Sequence, residues 1–309
     1  SFSPFYSDIG LGVTEAGGIA ALFLHYNRRM TTFLEPFLAL PDPVEPHRKT
    51  ALGIQQRFRE GEAEIAFCDH NTFIVDCSGL STLQFNPALQ EDFAERRCRR
   101  VAAGIVLFDG YLPTADPRDA DRTFPFVVGL RLVTGSIESA TADAVEMVAA
   151  AGQRLVLLFS VRVLEVDHGQ VLSRLENGSS SAQEAQERAQ GWWAEVIGPY
   201  EFGSVGDGEA EVLARAVYTL IGNSAACPGL LQDRICGFPS RGTYPCAYLW
   251  DSCFQNLGTE LFNPGLAEDS LMVFVDNLRS DGKIHAFICS TWAHPGQSQP
   301  PLLGWAGRR

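Results

Sequence analysis

The spacing of apolar residues changes once along the 309-residue chain, near residue 176, and this change sets the fold class. Before it, short apolar or alternating runs recur between turn signals, as in β-strands. After it, apolar residues recur every three or four positions, as in helices that bury one face. The sequence therefore predicts a β domain followed by an α domain. The predicted strands are 18–26, 32–38, 62–67, 72–77, 103–108, 125–133 and 155–164.

The β part has the features of a sandwich of antiparallel strands. Its runs are separated by breaks rich in Pro and Asp, such as 41–43 and 116–119, and sandwiches are built from short strands at this spacing. Strands and helices do not alternate regularly, which argues against a doubly wound parallel sheet. We predict an antiparallel β-sandwich over residues 1–176.

The α part opens with a linker helix. Residues 177–181 form a turn with candidate N-cap serines, and Ala182 begins a helix that Gly198-Pro199 ends. Further helices are predicted over 208–221, 250–261 and 266–278, with another starting near 299–301. The predicted domains are the β-sandwich at 1–176, the linker helix at 177–204 and the start of a helical domain at 205–309.

Two of these helices have apolar faces that are predicted to pack against neighbouring elements. The helix 208–221 has a broad stripe of paired positions, which suits packing between two layers. These pairs are Val212/Leu213, Ala216/Val217 and Leu220/Ile221, and the face predicted for 266–278 comprises Leu271, Phe274, Val275 and Leu278.

Charge and composition narrow the class of function. The formal net charge is −13, whereas binding nucleic acid requires clustered Lys and Arg. No apolar run approaches the ~18 residues of a membrane span. Eight cysteines, most in apolar surroundings, predict buried free thiols and a cytoplasmic location. The predicted partner is a small polar molecule, with no nucleic acid, membrane or cofactor.

The segment 241–306 is the richest in candidate binding groups. It offers a carboxylate, Asp251, at a helix start between aromatic residues, then the turn Asp281-Gly282, then Gln299 and Trp305 at the next helix start. Aromatic faces stack on the C–H surfaces of sugars, and carboxylates and amides bind hydroxyl groups. Such groups converging from helix N-termini predict a pyranose pocket.

Each of these residues also has a purely structural interpretation. Asp251 could be a helix N-cap, a role that Asp fills well. Trp250, Phe254 and Trp305 could pack in a core. The dipeptide Asp281-Gly282 could simply form a turn.

The order of four motifs resembles a known family. The motifs are Tyr-Leu-Trp-Asp at 248–251, Asn-Pro at 263–264, Asp-Gly-x-Ile at 281–284 and Gln-Pro-Pro-x-x-x-Trp-Ala at 299–306. Together they look like the catalytic region of glycoside hydrolase family 63 and its mannosylglycerate-hydrolase-like relatives, with trehalases and amylo-α-1,6-glucosidases more distant. The resemblance is specific over 241–306 and extends to 1–176 only as domain order.

This resemblance implies an inverting α-glycosidase on a barrel of six helix pairs, acting on an α-glucoside. The aspartate of the Trp-Asp motif is the general acid in the family, which maps to Asp251. His285 stands where many relatives have proline, so the resemblance leaves the detailed substrate open. The substrate-binding residues implied are Tyr248, Trp250, Phe254, Asp281, Gln299 and Trp305.

An inverting enzyme also needs a general base, a second carboxylate ~6.5–9.5 Å from the acid. In the family it is a glutamate near the far end of the barrel, beyond anything homologous to Arg309. We therefore expect the base and the remaining helices from a further C-terminal segment, a complementary helical chain or a homo-oligomer. The alternatives are a non-catalytic carbohydrate-binding or assembly subunit and an inactive fragment.

Two other chemistries have weaker patterns. The glycines of 203–208 precede a helix as in a phosphate-binding loop, but no strand precedes them and no Gly-Lys-Ser/Thr follows. Cys246, Cys253, His285 and Cys289 do not have the usual spacings of zinc ligands. We predict that 203–208 is a domain linker and that the three cysteines and the histidine bind no metal.

Overall fold

The computed structural model describes residues 9–13, 19–24, 31–34, 38, 40–50, 52–85, 94–113, 123–141, 144–150, 152–164, 166–197, 206–241, 243–294, 296–300 and 302–308. By internal contacts, the chain divides into a first unit that includes Thr32–Gln190 and a second that includes Gly191–Arg309. The domain boundaries predicted at 176 and 204 stay predictions. Residues 203–205 of the loop predicted at 203–208 lie outside the described residues.

The first part of the chain is mostly β-sheet, as predicted. The largest sheet has eight strands in the order β4-β5-β6-β7-β14-β11-β10-β9, and each neighbouring pair is antiparallel. Two three-stranded sheets have the orders β1-β2-β3 and β12-β13-β8. The strands are β1 Ile9–Val13, β2 Ile19–Leu24, β3 Thr31–Leu34, β4 Arg48–Lys49, β5 Ile54–Phe58, β6 Gly61–Phe67, β7 Thr72–Ser78, β8 Thr82–Phe85, β9 Ala94–Ala102, β10 Ile105–Pro113, β11 Thr123–Thr134, β12 Ser136–Ala140, β13 Val145–Val148 and β14 Leu155–Val163.

A helix that the sequence analysis assigned to the β domain follows the last strand of this part. It is α1, His168–Asn177, and the Asp167 side chain caps it by accepting from the N–H groups of Gly169 and Gln170. The helix was missed because an Asp cap before a ten-residue segment is a weak signal beside the clear strand that ends at Val163. The next helix, α2 (Ala182–Ile197), begins where predicted, and its Glu184 N–H donates to the Ser181 hydroxyl at 3.2 Å.

Different elements cover the two faces of the eight-stranded sheet. On one face, apolar side chains such as Ile74 and Leu158 pack against Val171 and Leu175 of α1 and Ala182 of α2. On the other face, Phe73 and Phe159 stack with ring centroids 5.1 Å apart. Phe85 of β8 reaches this face and packs against Phe108 and Phe159 at 5.3 Å each.

The second unit is mainly helical and contains the helices that the sequence predicted. They are α3 Asp207–Gly222, α4 Leu249–Thr259, α5 Pro264–Asp276 and the short α6 Leu303–Ala306. Asn263 caps α5 by accepting from Leu266 N–H, with Pro264 in the first turn. Two strand pairs were missed because their strands are only two or three residues long. They are β15 Ser224–Ala226 with β16 Ile235–Gly237, and β17 Ala247–Tyr248 with β18 Phe287–Ile288.

Burial corrects the predicted faces of α3 and α5. On α3 only part of the stripe is covered: Val217 and Ile221 are buried, whereas Val212, Leu213 and Ala216 are exposed. On α5 the buried residues include Val273 and Phe274, and the predicted face members Val275 and Leu278 are exposed. The face was misplaced by about one position because α5 packs against the β15–β16 and α4 elements of its own unit. None of the helices in the described part of the chain has the length and apolar character needed to cross a bilayer.

Candidate functional site

The start of α4 is built without a side-chain cap of its own. Its N-cap is Tyr248, whose side chain makes no cap hydrogen bond, so Asp251 is the third helical residue. The interpretation of Asp251 as the N-cap is therefore wrong. The free N–H groups of the first turn are satisfied from other segments. Leu249 N–H donates to the Ala286 carbonyl at 3.0 Å, and Trp250 N–H donates to Gln299 Oε1 at 2.8 Å.

Three aromatic side chains form an exposed cluster around this helix start. Trp250, Phe254 and Trp305 have exposed fractions of 45%, 51% and 42%. Phe254 lies between the two indoles, with ring centroids 5.8 Å from Trp250 and 6.0 Å from Trp305, both edge-to-face. Their interpretation as core residues is wrong. Contiguous exposed apolar surface of this kind is typical of binding sites.

The sequence spacing explains how the cluster assembles. Trp250 and Phe254 are four residues apart on α4 and therefore share a helix face. Gln299 binds the start of α4, and α6 follows it directly with Trp305. The first and last of the four sequence motifs thus meet at one place.

Asp251 lies in the first turn of α4, one residue after Trp250 and three before Phe254. Partial burial raises the pKa of its carboxyl above the ordinary Asp value, and a hydrogen bond with its own backbone N–H opposes that rise in part. A raised pKa keeps the proton on the carboxyl to a higher pH, which is what a proton donor requires.

Tyr248 belongs to a second aromatic cluster that the sequence analysis did not find. Its ring stacks on Phe287 at 4.9 Å and meets Tyr244 edge-to-face at 5.8 Å. Trp292 and His294 also contact Phe287, at 5.2 and 5.0 Å. Tyr248 and Phe287 are brought together by the β17–β18 pairing, and two-residue strands leave no periodic signal in the sequence.

Asp281 lies in a tight local turn. Both of its oxygens accept from Arg279, at 3.0 Å each, and Lys283 lies 3.7 Å away. These bonds lower the pKa of the Asp281 carboxyl to about 2, with the hydrogen bond from Arg279 as the largest cause. The turn continues through Gly282, which has a φ of +77°. A place for Asp281 at the rim of a sugar pocket stays a prediction.

An apolar groove of about 610 Å³ runs between α4, α5 and α6. Its floor is mostly aliphatic, and Glu260 and Glu268 are the acidic residues in its lining. Among the described residues, no group of three or more His, Cys, Asp and Glu side chains is placed to hold a metal ion. The groove is lined by Asn256, Glu260, Pro264, Ala267, Glu268, Leu271, Met272, Val275, Leu303, Gly304, Ala306 and Gly307.

Comparison with known proteins identifies the fold. No protein-family model and no curated protein matches the sequence. A family GH92 inverting mannosidase from Bacteroides thetaiotaomicron matches with a TM-score of 0.62 at 9% identity, over 96% of this chain and 47% of that chain. A GH92 α-mannosidase from the same organism matches with a TM-score of 0.58 at 10% identity, over 96% and 49%.

A bacterial glucoamylase complexed with acarbose also matches, with a TM-score of 0.55 at 9% identity, over 94% of this chain and 51% of that chain. All three are glycosidases of the (α/α)6-barrel kind. The chain therefore shares their fold and spans about half of their length. The more specific relation to glycoside hydrolase family 63 stays a prediction.

Proposed function

We propose that the second unit carries the acid side of an inverting α-glycosidase site, with Asp251 as the general acid. In this proposal the β part is a sandwich and α3–α6 are the first helices of an (α/α)6 barrel. The observation that carries it is a carboxyl with a raised pKa, Asp251, in the first turn of the helix that also bears the exposed rings of Trp250 and Phe254. The glycosidase fold of the similar structures supports it.

The aromatic cluster supplies the sugar-binding part of the proposal. The plane of the Phe254 ring makes angles of 80° and 65° with the rings of Trp250 and Trp305. A pyranose can therefore lie flat against one ring while its edge contacts another. Each ring is about half exposed, and covering it with sugar C–H groups removes apolar area from water. The amide oxygen of Gln299 accepts a hydrogen bond from Trp250 N–H. This bond holds the segment before α6 against the start of α4.

The start of α4 suits a proton donor in both of its states. Before the transfer, partial burial raises the pKa of the Asp251 carboxyl and so favours its protonated form. After the proton has passed to the glycosidic oxygen, the carboxylate lies in the first turn of the helix, where the positive end of the helix dipole stabilises it. The environment therefore favours holding the proton without making its release costly.

The general base and the rest of the barrel are assigned to further helices, in the same or in another polypeptide. The similar glycosidases are about twice as long as this chain. The apolar groove between α4, α5 and α6 and the exposed Val275 and Leu278 are suitable surfaces for such helices to cover. The partner is then a complementary helical segment or chain, or a second copy of this one.

The substrate is proposed to be an α-glucoside, as the four motifs imply. The similar structures are those of mannosidases and a glucoamylase, so both sugar classes belong in the assay. A full-length form or assembly is incubated with α-glucosides and α-mannosides, and NMR follows the anomer first released. Inversion gives the β-anomer first, whereas release of the α-anomer would contradict the proposed mechanism.

The decisive variant is Asp251→Asn. It removes the proton donor while retaining shape, so kcat for a natural α-glycoside should fall by ~10²–10⁴-fold. The loss should shrink for glycosyl fluorides, whose leaving group needs little protonation. Asp269→Asn is the matched control, since Asp269 lies on α5, pairs with Arg234 and is not among the candidate site residues. Hydrolysis within a few-fold of wild type in Asp251→Asn would refute the assignment.

The second candidate function is carbohydrate binding without turnover. Exposure of Trp250, Phe254 and Trp305 favours it, since stacking needs no pair of carboxylates. Glucose or an iminosugar would then change tryptophan fluorescence in wild type and Asp251→Asn alike, with no hydrolysis by either. An inactive fragment would show neither response.

A further inference from the structure

Two of the eight cysteines face each other across the strand pair that leads into α4. Ala247 lies opposite Ile288 and Tyr248 opposite Phe287 in the antiparallel β17–β18 pair. Continuing this register by one residue places Cys246 opposite Cys289. Because side chains alternate between the faces of a strand, both cysteines share the face of the stacked Tyr248–Phe287 pair.

The hydrogen-bonding pattern makes this a closely spaced cross-strand pair. Leu249 N–H donates to the Ala286 carbonyl, so the pairs 249/286 and 247/288 are the hydrogen-bonded ones. The alternation in antiparallel sheets then makes 246/289 a non-hydrogen-bonded pair, with Cα atoms ~4.5 Å apart and close side chains. Disulfides span Cα separations of ~4.4–6.8 Å, so a bond can form without moving the strands.

The Cys289 thiol also differs in acidity from buried cysteines such as Cys236 and Cys253. A hydrogen bond from Cys246, helped by N–H groups at Thr291 and Trp292, lowers the pKa of the Cys289 thiol although the residue is buried. By contrast, burial raises the pKa of Cys236 to about 12 and that of Cys253 to about 11. The thiolate is the reactive form in disulfide exchange, so Cys289 is the attacking sulfur of the pair.

We propose that Cys246 and Cys289 form a reversible dithiol–disulfide site across β17–β18. With oxidised glutathione, the Cys289 thiolate attacks one sulfur, forms a mixed disulfide and releases one glutathione thiolate. Cys246 then loses its proton to solvent, attacks the Cys289 sulfur and releases the second. The chain loses two electrons and one oxidised glutathione becomes two thiols. The bond ties β17, which directly precedes α4, to β18, and the proposal does not depend on glycosidase activity.

The test uses wild type and the matched variant Cys98→Ala, because Cys98 is half-exposed on β9 and outside the pair. Both Cys246 and Cys289 are buried, so one arm equilibrates the folded protein in graded glutathione buffers and a second refolds it in them. Acid stops thiol–disulfide exchange, the remaining free thiols are alkylated, and mass spectrometry maps the alkylated and cross-linked cysteines. The Cys246→Ala/Cys289→Ala double variant shows whether any cross-link is specific.

The expected result is a peptide joined through Cys246 and Cys289 in wild type and in Cys98→Ala, in at least one arm, that dithiothreitol reverses. Alkylatable thiols in wild type should fall from eight to six, since the sequence holds eight cysteines. Full alkylation of both residues in both arms, or pairing of either with a third cysteine, would overturn the proposal. Mapping of wild type alone decides this even where the double variant does not fold.

Discussion

The two units differ in how many large apolar side chains they leave exposed. In the first unit, Phe73 and Phe159 are fully buried and stacked inside the sheets. In the second unit, Phe254 has half of its surface exposed and touches two exposed indoles. Of the fourteen large apolar side chains that are exposed among the described residues, eleven lie in the second unit.

Because of this difference, we expect the buried rings to contribute mainly to stability and the exposed rings mainly to ligand binding. A buried phenylalanine contributes hydrophobic free energy and packing to its unit, whereas a half-exposed one contributes little of either. The exposed rings of the second unit are thus available to a ligand, and its groove is available to further helices. A substitution of a buried ring in the first unit should therefore lower stability more than binding. A matched substitution of an exposed ring in the second unit should lower binding more than stability.

The largest contrast is expected between Phe159→Ala and Phe254→Ala. Phe159 is fully buried against Phe73 and Phe85, so its removal leaves a cavity and should cost ~3–5 kcal/mol of unfolding free energy. Phe254 is 51% exposed, so its removal should change stability by only about 0.5 kcal/mol. Denaturant unfolding measures both.

Sugar binding should reverse this order. Titration of tryptophan fluorescence with glucose should show a weakened response in Phe254→Ala and an unchanged one in folded Phe159→Ala, measured where that variant remains native. Equal losses of stability in the two variants would show that the second unit depends on Phe254 as a core residue, which would break the comparison.

Two glycines allow the same contrast with a single added methyl group. A Cβ on Gly129 of β11 would meet Val171 and Leu175 of α1 at 2.6 Å each, so Gly129→Ala should push α1 from the sheet and cost ~1–3 kcal/mol. Gly191 lies inside α2 with nothing within 4 Å of its Cβ position, so Gly191→Ala should stabilise the helix by ~0.5–1 kcal/mol. Thermal unfolding by circular dichroism checks the two signs. A neutral Gly129→Ala would mean that α1 does not pack tightly on the sheet.

The fold was predictable where periodicity runs through whole elements. Strands such as β6, β7 and β14 and the helices α3–α5 lie close to the predicted ranges, because runs of five or more residues have a visible period. Strand pairs such as β17–β18 were not predictable, because two residues form a ladder only when the tertiary fold brings their partner close. The burial of Phe274 and exposure of Val275 likewise depend on which neighbours α5 meets.

Several of the residues that the sequence singled out meet at the start of α4, but the contacts that join them follow from no local pattern. The sequence motifs singled out Trp250, Asp251 and Gln299, but the bond from Trp250 N–H to Gln299 spans 49 residues and follows from no local pattern. The same bond explains why Asp251 is not the cap: a side chain from a distant segment already occupies that place. Such long-range bonds are set by the fold as a whole.

A smaller effect is expected from Gln299, which connects the exposed cluster to α4. Gln299→Ala leaves Trp250 N–H without its acceptor, and losing a helix cap costs ~0.5–2 kcal/mol. Gln299→Glu keeps an acceptor at the same place and should retain that stability. Denaturant unfolding compares the stabilities of the two variants, and fluorescence titration with glucose shows whether Trp305 still contributes to the proposed sugar site. An Ala variant as stable as the Glu variant would mean that water replaces the cap at no cost.

The smallest effect is expected from Asp281, whose turn lies on the exposed surface of the second unit. Its folded pKa is lowered to about 2 by hydrogen bonds from Arg279, below the value of ~3.9 for an unfolded Asp. A lowered pKa gives stability that is present above pH ~4 and is lost as the pH falls towards 2. Asp281→Asn should therefore lower the melting temperature by about 1–3 °C at pH 6, and by progressively less at pH 4 and pH 3, because exposed pairs are weak. High salt should shrink the difference in melting temperature at pH 6 by screening the charges. A difference that stays constant from pH 6 to pH 3 would contradict the role of charge. It would show that the turn gains its stability from hydrogen bonds that the amide of Asp281→Asn also makes.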